Sequence, residues 1–135
     1  MEVRMNLMVA FGTDDGKNLN TDHVGNAHFF LIYRFLDGRE KSIEKKRNPK
    51  FQEDESLIHG DPAKAAAVGS VLQGVDVLVG KKFGPNIVRL KKKFVCVIVR
   101  ADSIEDATEI VGANIDVIEA EKNKGEARSH LVLKK

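Results

Sequence analysis

Residues 61–79, DPAKAAAVGSVLQGVDVLV, decide the fold. Asp61 suits a helix N-cap, and Pro62 suits the first helical position, where its missing N–H is no loss. The alanine-rich run to Gln73 favours helix, with Val68, Val71 and Leu72 on one side. Gly74 is a natural stop. Residues 75–79 (VDVLV) then read as a short buried strand. A helix that feeds directly into a buried strand is the return half of a crossover, and crossovers join parallel strands.

Working towards the C-terminus, GKKFGPN (residues 80–86) breaks the strand, and Pro85 can start a helix that runs to about Lys93. FVCVIV (residues 94–99) is a fully apolar strand. Ser103 caps the last helix, with Asp106 three residues on, as in a capping box. Ile104, Ala107, Val111, Ile115 and Ile118 form its apolar stripe, with Gly112 inside the pattern. In the tail, SHLVL reads either as a short edge strand or as a frayed end.

Working towards the N-terminus, EKSIEKKR (residues 40–47) is a polar strand whose lysines suit a sheet edge. Asp37-Gly38 is a hairpin turn, preceded by an aromatic and branched strand over residues 28–35. VRMNLMVAFG (residues 3–12) is a buried central strand that ends in the turn-forming TDDG. Residues 48–60 lack periodicity and read as a long surface connection. The order β-β-β-α-β-α-β-α predicts a three-layer α/β/α fold. It has a mixed five-stranded sheet, one antiparallel strand and helices on both faces. A single domain over residues 1–135 is expected, with a core to about residue 122 and a tail or edge strand over residues 123–135.

Composition narrows the function. Hydrophobic residues make up 42% of the 135, enough for one packed core. No apolar run approaches the ~20 residues of a bilayer span, and the N-terminus lacks the order of a signal peptide. A soluble, cytoplasmic protein is expected. The single cysteine, Cys96, rules out an internal disulfide and a four-thiolate iron–sulfur site within one chain. It lies mid-strand and reads as buried and inert. The net charge of +2 gives no reason to expect nucleic acid. Basic residues concentrate in residues 39–50 and 81–93.

Four stretches could carry chemistry. In DHVGNA (residues 22–27), His23 could ligate a metal and Gly25 would let a ligand approach backbone. Asn26 lies in the same loop. Thr13-Asp14-Asp15-Gly16, at the C-terminal end of the first strand, could hold Mg²⁺ or simply form an Asx turn. In residues 80–86, Lys81 and Lys82 stand beside Gly84 and Asn86 at a helix start, where free N–H groups attract anions. His59 precedes the helix that Asp61 caps.

These stretches, in order, resemble the dinitrogenase iron–molybdenum cofactor biosynthesis family. The matching residues are TDDGK (13–17), DHVGNAHFFLIY (22–33), the hairpin DG, NP (48–49), HGDPAKAAAV (59–68), GVDVLV (74–79) and FGPN (83–86). The resemblance runs to about Ile118. It implies a ribonuclease H-like fold and a protein that binds or carries iron–molybdenum cofactor or its iron–sulfur precursors. His23 is then the implied cofactor contact and metal ligand. The chain differs from the family's common pattern at Val24, where phenylalanine is usual, and at Lys81 and Lys82, where glycines are usual.

The reading that follows is a non-catalytic carrier of an anionic metal cluster. His23, Gly25, Asn26, His59, Lys81, Lys82, Gly84 and Asn86 would form the site, and other cofactor-assembly proteins would be partners. Two alternatives compete with it. One is a regulatory domain that binds a phosphate-bearing molecule or a protein. The other is a metal-dependent phosphoryl-transfer enzyme built on Asp14, Asp15, Asp76 and Asp102.

Overall fold

The computed structural model describes residues 5–49 and 57–135. The expected strand start at Val3, and residues 50–56 of the expected long connection, lie outside them. A six-stranded mixed sheet has the order β3-β2-β1-β4-β5-β6. Its strands are β1 (Asn6–Thr13), β2 (Phe29–Leu36), β3 (Arg39–Arg47), β4 (Val77–Gly80), β5 (Val95–Val99) and β6 (Leu131–Leu133). The helices are α1 (Pro62–Val71), α2 (Ile87–Leu90), α3 (Ile104–Ala113) and α4 (Ile115–Lys122). β2 pairs antiparallel with both β1 and β3, while β1, β4, β5 and β6 pair in parallel. β2 is thus the antiparallel strand among the described residues, and β3 is the edge.

Alternation along the strands divides the core between the two faces of the sheet. Leu7, Val9 and Phe11 of β1, with Val95, Val97 and Val99 of β5, pack under α3 and α4 through Ile104, Ile110, Val111 and Ile118. Ala10, Leu78 and Cys96 face the other way, against Val68 and Leu72 at α1 and Leu90 of α2. Helices therefore cover both faces. Asp37 and Gly38 turn the hairpin with φ of 52° and 86°, the positive pair that a two-residue turn needs.

Three expectations need correcting. The sheet has six strands, not five, because the tail pairs with β5 in parallel and packs Leu131 and Leu133 onto the first core cluster. The apolar edge of β5 is thereby covered. The last helix is two helices, because Asn114 breaks the ladder with φ −122° and its side-chain amide donates to Ile110 O at 2.7 Å. Gly112 is not the break; it gives room for the hairpin, since a Cβ there would come within 3.1 Å of Gly38 O. The helix expected to run from Pro85 to Lys93 is a single turn, Ile87–Leu90, followed by turns.

Candidate functional site

The loops after β1 and β4 meet at the C-terminal end of the sheet, where open α/β folds place their ligands. The first is held by its own side chains. Asp15 Oδ1 accepts from Lys17 N and Asn18 N, both at 2.8 Å, and those amides hold its carboxyl well below the usual carboxylate range. Asp14 Oδ1 accepts from His28 N at 2.9 Å. Asp15 therefore forms the Asx turn, while Asp14 ties this loop to the segment just before β2.

The next loop carries His23. Buried Asn20 donates to Asp22 O at 3.1 Å and to His23 O at 2.9 Å. Asp22 accepts from His23 N at 2.7 Å and from the Asn26 amide at 3.1 Å. The His23 amide is the main cause that lowers the Asp22 pKa, with help from Asn26 and the charges of His23 and Lys82. On the far side, Asn48 is fully buried and donates to Gly25 O at 2.9 Å and Ala27 O at 2.8 Å. Val24 drops into a socket at the ends of β1 and β4: a Cβ on Gly12 or on Gly80 would come within 2.7 Å of its side chain. Its own N–H donates to Lys82 O at 2.8 Å, which ties the two loops together. Val24 thus packs beneath the loop rather than at its surface.

His23 and Gly84 are brought into contact. A Cβ on Gly84 would lie 2.4 Å from His23 Nδ1 and 2.7 Å from Cε1, so only glycine leaves room for the half-buried imidazole. Beneath Gly25 runs Lys64, whose Cε would be 3.3 Å from a Cβ there and whose Nζ donates to Asn26 Oδ1. His23, Gly25, Lys64 and Gly84 line one cavity of about 10 Å³, floored by Val68 and Leu90. That is room for about one water. A metal–sulfur cluster does not fit inside it.

Of the other expected site residues, Asn86 lines the same cavity, while His59, Lys81 and Lys82 fall elsewhere. Asn86 is buried and donates to Asp61 O at 2.9 Å, while Arg89 Nη1 donates to His59 O at 2.7 Å. Gly60 has a φ of 95°, and a Cβ on it would stand 2.5 Å from Asn86 Oδ1. Asn86 and the His59 carbonyl therefore clasp two loops together, and the His59 residue is exposed. Lys81 pairs with Asp102 at 2.5 Å across a separate groove of about 300 Å³ that Asp14, Asp15 and Asn18 also line. Lys82 is exposed on the Asp22 side. Asp76 lies at the opposite end of the sheet, accepting from Met8 N at 2.9 Å and pairing with Lys122 at 3.4 Å. Cys96 is fully buried, and burial pushes its thiol up to about 12.

Lys64, Asn20 and Asn48 are the residues that sequence reasoning missed. A readable signal existed for Lys64 alone: a cation in the first turn of a helix opposes the dipole.

Among the described residues, no three His, Cys, Asp or Glu side chains group as a metal site would need, and no helix is long and apolar enough to cross a membrane. No curated protein matches the chain. A family model described as dinitrogenase iron-molybdenum cofactor matches residues 5–114.

Proposed function

Because the chain belongs to the dinitrogenase iron–molybdenum cofactor family, we propose that it binds or carries an anionic metal cluster, of iron–molybdenum cofactor or iron–sulfur precursor type, without catalysing a reaction. Membership suggests a role in making or carrying nitrogenase cofactor, and the family is generally made of non-catalytic carriers. The observation that carries the reading is the imidazole of His23 seated on Gly84 at a half-buried rim. One nitrogen ligand suits a cluster that arrives as cargo with most of its own ligands. The strand order supports a ribonuclease H-like assignment, and cofactor-assembly proteins would be the partners that deliver and receive the cluster.

The larger groove favours neither alternative. Its lining sets Asp14, Asp15 and Asp102 against Lys81, so it offers no net attraction to phosphate. Among the described residues, the carboxylates that share this groove are not grouped as a metal site would need, and Asp76 sits at the other end of the sheet.

The test is anaerobic incubation with isolated iron–molybdenum cofactor, then gel filtration with molybdenum and iron analysis. Metal should co-elute with the protein and be lost from His23→Ala. Absence of metal from the wild-type fraction, or equal loading of the variant, refutes the reading.

A further inference from the structure

We infer that Arg89 is the residue by which the His23 rim selects an anionic guest. This rests on the carrier reading and names what decides its ligand class. Residues 81–93 hold six basic residues and no acid. Lys81 is neutralised by Asp102 in the other groove, and Lys82 is exposed on the Asp22 side. Lys91, Lys92 and Lys93 follow the C-terminal end of α2, and a Cβ on Gly69 of α1 would come within 2.8 Å of Lys93 Nζ. Arg89 differs from all five, because its side chain bonds to a residue that lines the His23 cavity.

Arg89 Nη1 donates to Asn86 Oδ1 at 3.2 Å and to His59 O at 2.7 Å. Asn86 shares the cavity lining with His23 and Gly84. A Cβ on Gly60 would come within 2.5 Å of Asn86 Oδ1 and 2.7 Å of Arg89 Nη1, so amide and guanidinium are seated together over a glycine. Both acceptors of Nη1 are neutral. Among the described residues no carboxylate pairs with Arg89, and neither Nε nor Nη2 has an acceptor. The clasp between the two loops uses one nitrogen and needs no charge. A full positive charge and two further donor nitrogens are left beside the cavity, on a half-buried side chain already fixed at its tip. A guanidinium held in this way is organised in advance to fork onto the acceptor atoms of an anion.

The experiment measures the affinity of isolated iron–molybdenum cofactor, anaerobically, for the wild type, Arg89→Gln and Arg89→Lys. Thermal unfolding of each protein without cofactor is recorded beside it. Both substitutions disturb the clasp, so both should lower the unfolding temperature, but only glutamine removes the charge. Arg89→Gln should therefore bind about tenfold more weakly, while Arg89→Lys keeps most of the wild-type affinity. Should Arg89→Gln fail to fold, Arg89→Met keeps the aliphatic stem and removes the charge. Wild-type affinity in a folded variant without the charge overturns this inference and leaves the carrier reading standing. Affinity that falls equally in the lysine and glutamine variants, in step with their unfolding temperatures, shows that Arg89 is a clasp alone and also overturns it. No binding by the wild type removes the carrier reading and this inference with it.

Discussion

Gly84→Ala adds one methyl group against one ring, and its sign can be worked from the structure. The φ of Gly84 lies outside the left-handed region, so alanine can adopt the backbone. On that ground alone the change would stabilise the fold by roughly 0.4–1 kcal/mol, through a less flexible unfolded chain. The new Cβ, however, would stand 2.4 Å from His23 Nδ1, 2.7 Å from Cε1 and 3.0 Å from Cγ. Three ring atoms fall inside ordinary contact distance, so the imidazole must retreat by about 1 Å. It has little freedom to do so. Asp22 and Asn20 fix its backbone, and Val24 anchors the next residue in the socket between Gly12 and Gly80. Overpacking of this kind costs about 1–3 kcal/mol, which outweighs the backbone gain. Thermal and urea unfolding should therefore show Gly84→Ala destabilised, and the imidazole proton resonances of His23 should shift. The double variant Gly84→Ala/His23→Ala removes the clash and should regain most of the lost stability, giving a coupling energy of about 1–2 kcal/mol. A Gly84→Ala protein as stable as the wild type, or additivity with His23→Ala, would show that ring and glycine do not pack as described.

Other outcomes follow from the same loops. Asn48→Ala orphans the carbonyls of Gly25 and Ala27, at about 1–3 kcal/mol for each, and should lower the urea midpoint accordingly. The carboxyl of Asp22 is depressed in the fold, so its stabilisation is present above its ordinary pKa of 3.8 and is lost as pH falls below that value. Acid unfolding of Asp22→Asn should accordingly show a shallower pH dependence than the wild type below pH 3.8. With its thiol pushed up to about 12 and fully buried, Cys96 should resist a thiol reagent at pH 8 in the native protein and react promptly in denaturant. Rapid labelling of the native protein would contradict its place between the sheet and α1.

The elements legible in the sequence are those whose signal is local. Asp61 accepts from Ala63 N and Lys64 N, Pro62 opens α1, and Ser103 caps α3, all set by neighbours along the chain. The Asp37-Gly38 turn is equally local. The sixth strand stayed open because three residues carry too little alternation to show which neighbour they will cover. The break at Asn114 was masked because the apolar spacing continues across it: Ile115 and Ile118 remain buried after the helix restarts. Lys64 lies one turn before Val68 on the buried side of α1, but a lysine in that place reads as a solvated charge rather than a buried one. Lys81 and Lys82 read as a pair along the sequence, yet in the loop after β4 Lys81 turns to Asp102 in the larger groove while Lys82 lies exposed on the Asp22 side.

The site depends on a contrast of sizes at the ends of two parallel strands. Gly12 closes one end and Gly80 the other, and neither could carry a Cβ without striking Val24. That socket fixes residue 24 from below, while Asn20 and Asn48 hold the chain on either side of it through the carbonyls of residues 22, 23, 25 and 27. Four carbonyls held by two buried amides leave the backbone little room to shift. The side chain immediately before the plug must then emerge at the rim, and in this chain it is His23. Replacing the plug should therefore disturb the imidazole without touching it. Val24→Ala empties the socket and should cost about 1.5–3 kcal/mol, from lost burial. It should also lower affinity for isolated iron–molybdenum cofactor, because the histidine is no longer held at one angle. If Val24→Ala loses that stability yet binds the cofactor as the wild type does, the socket is only a packing feature, and the orientation of His23 is set by Asp22 and Gly84 alone.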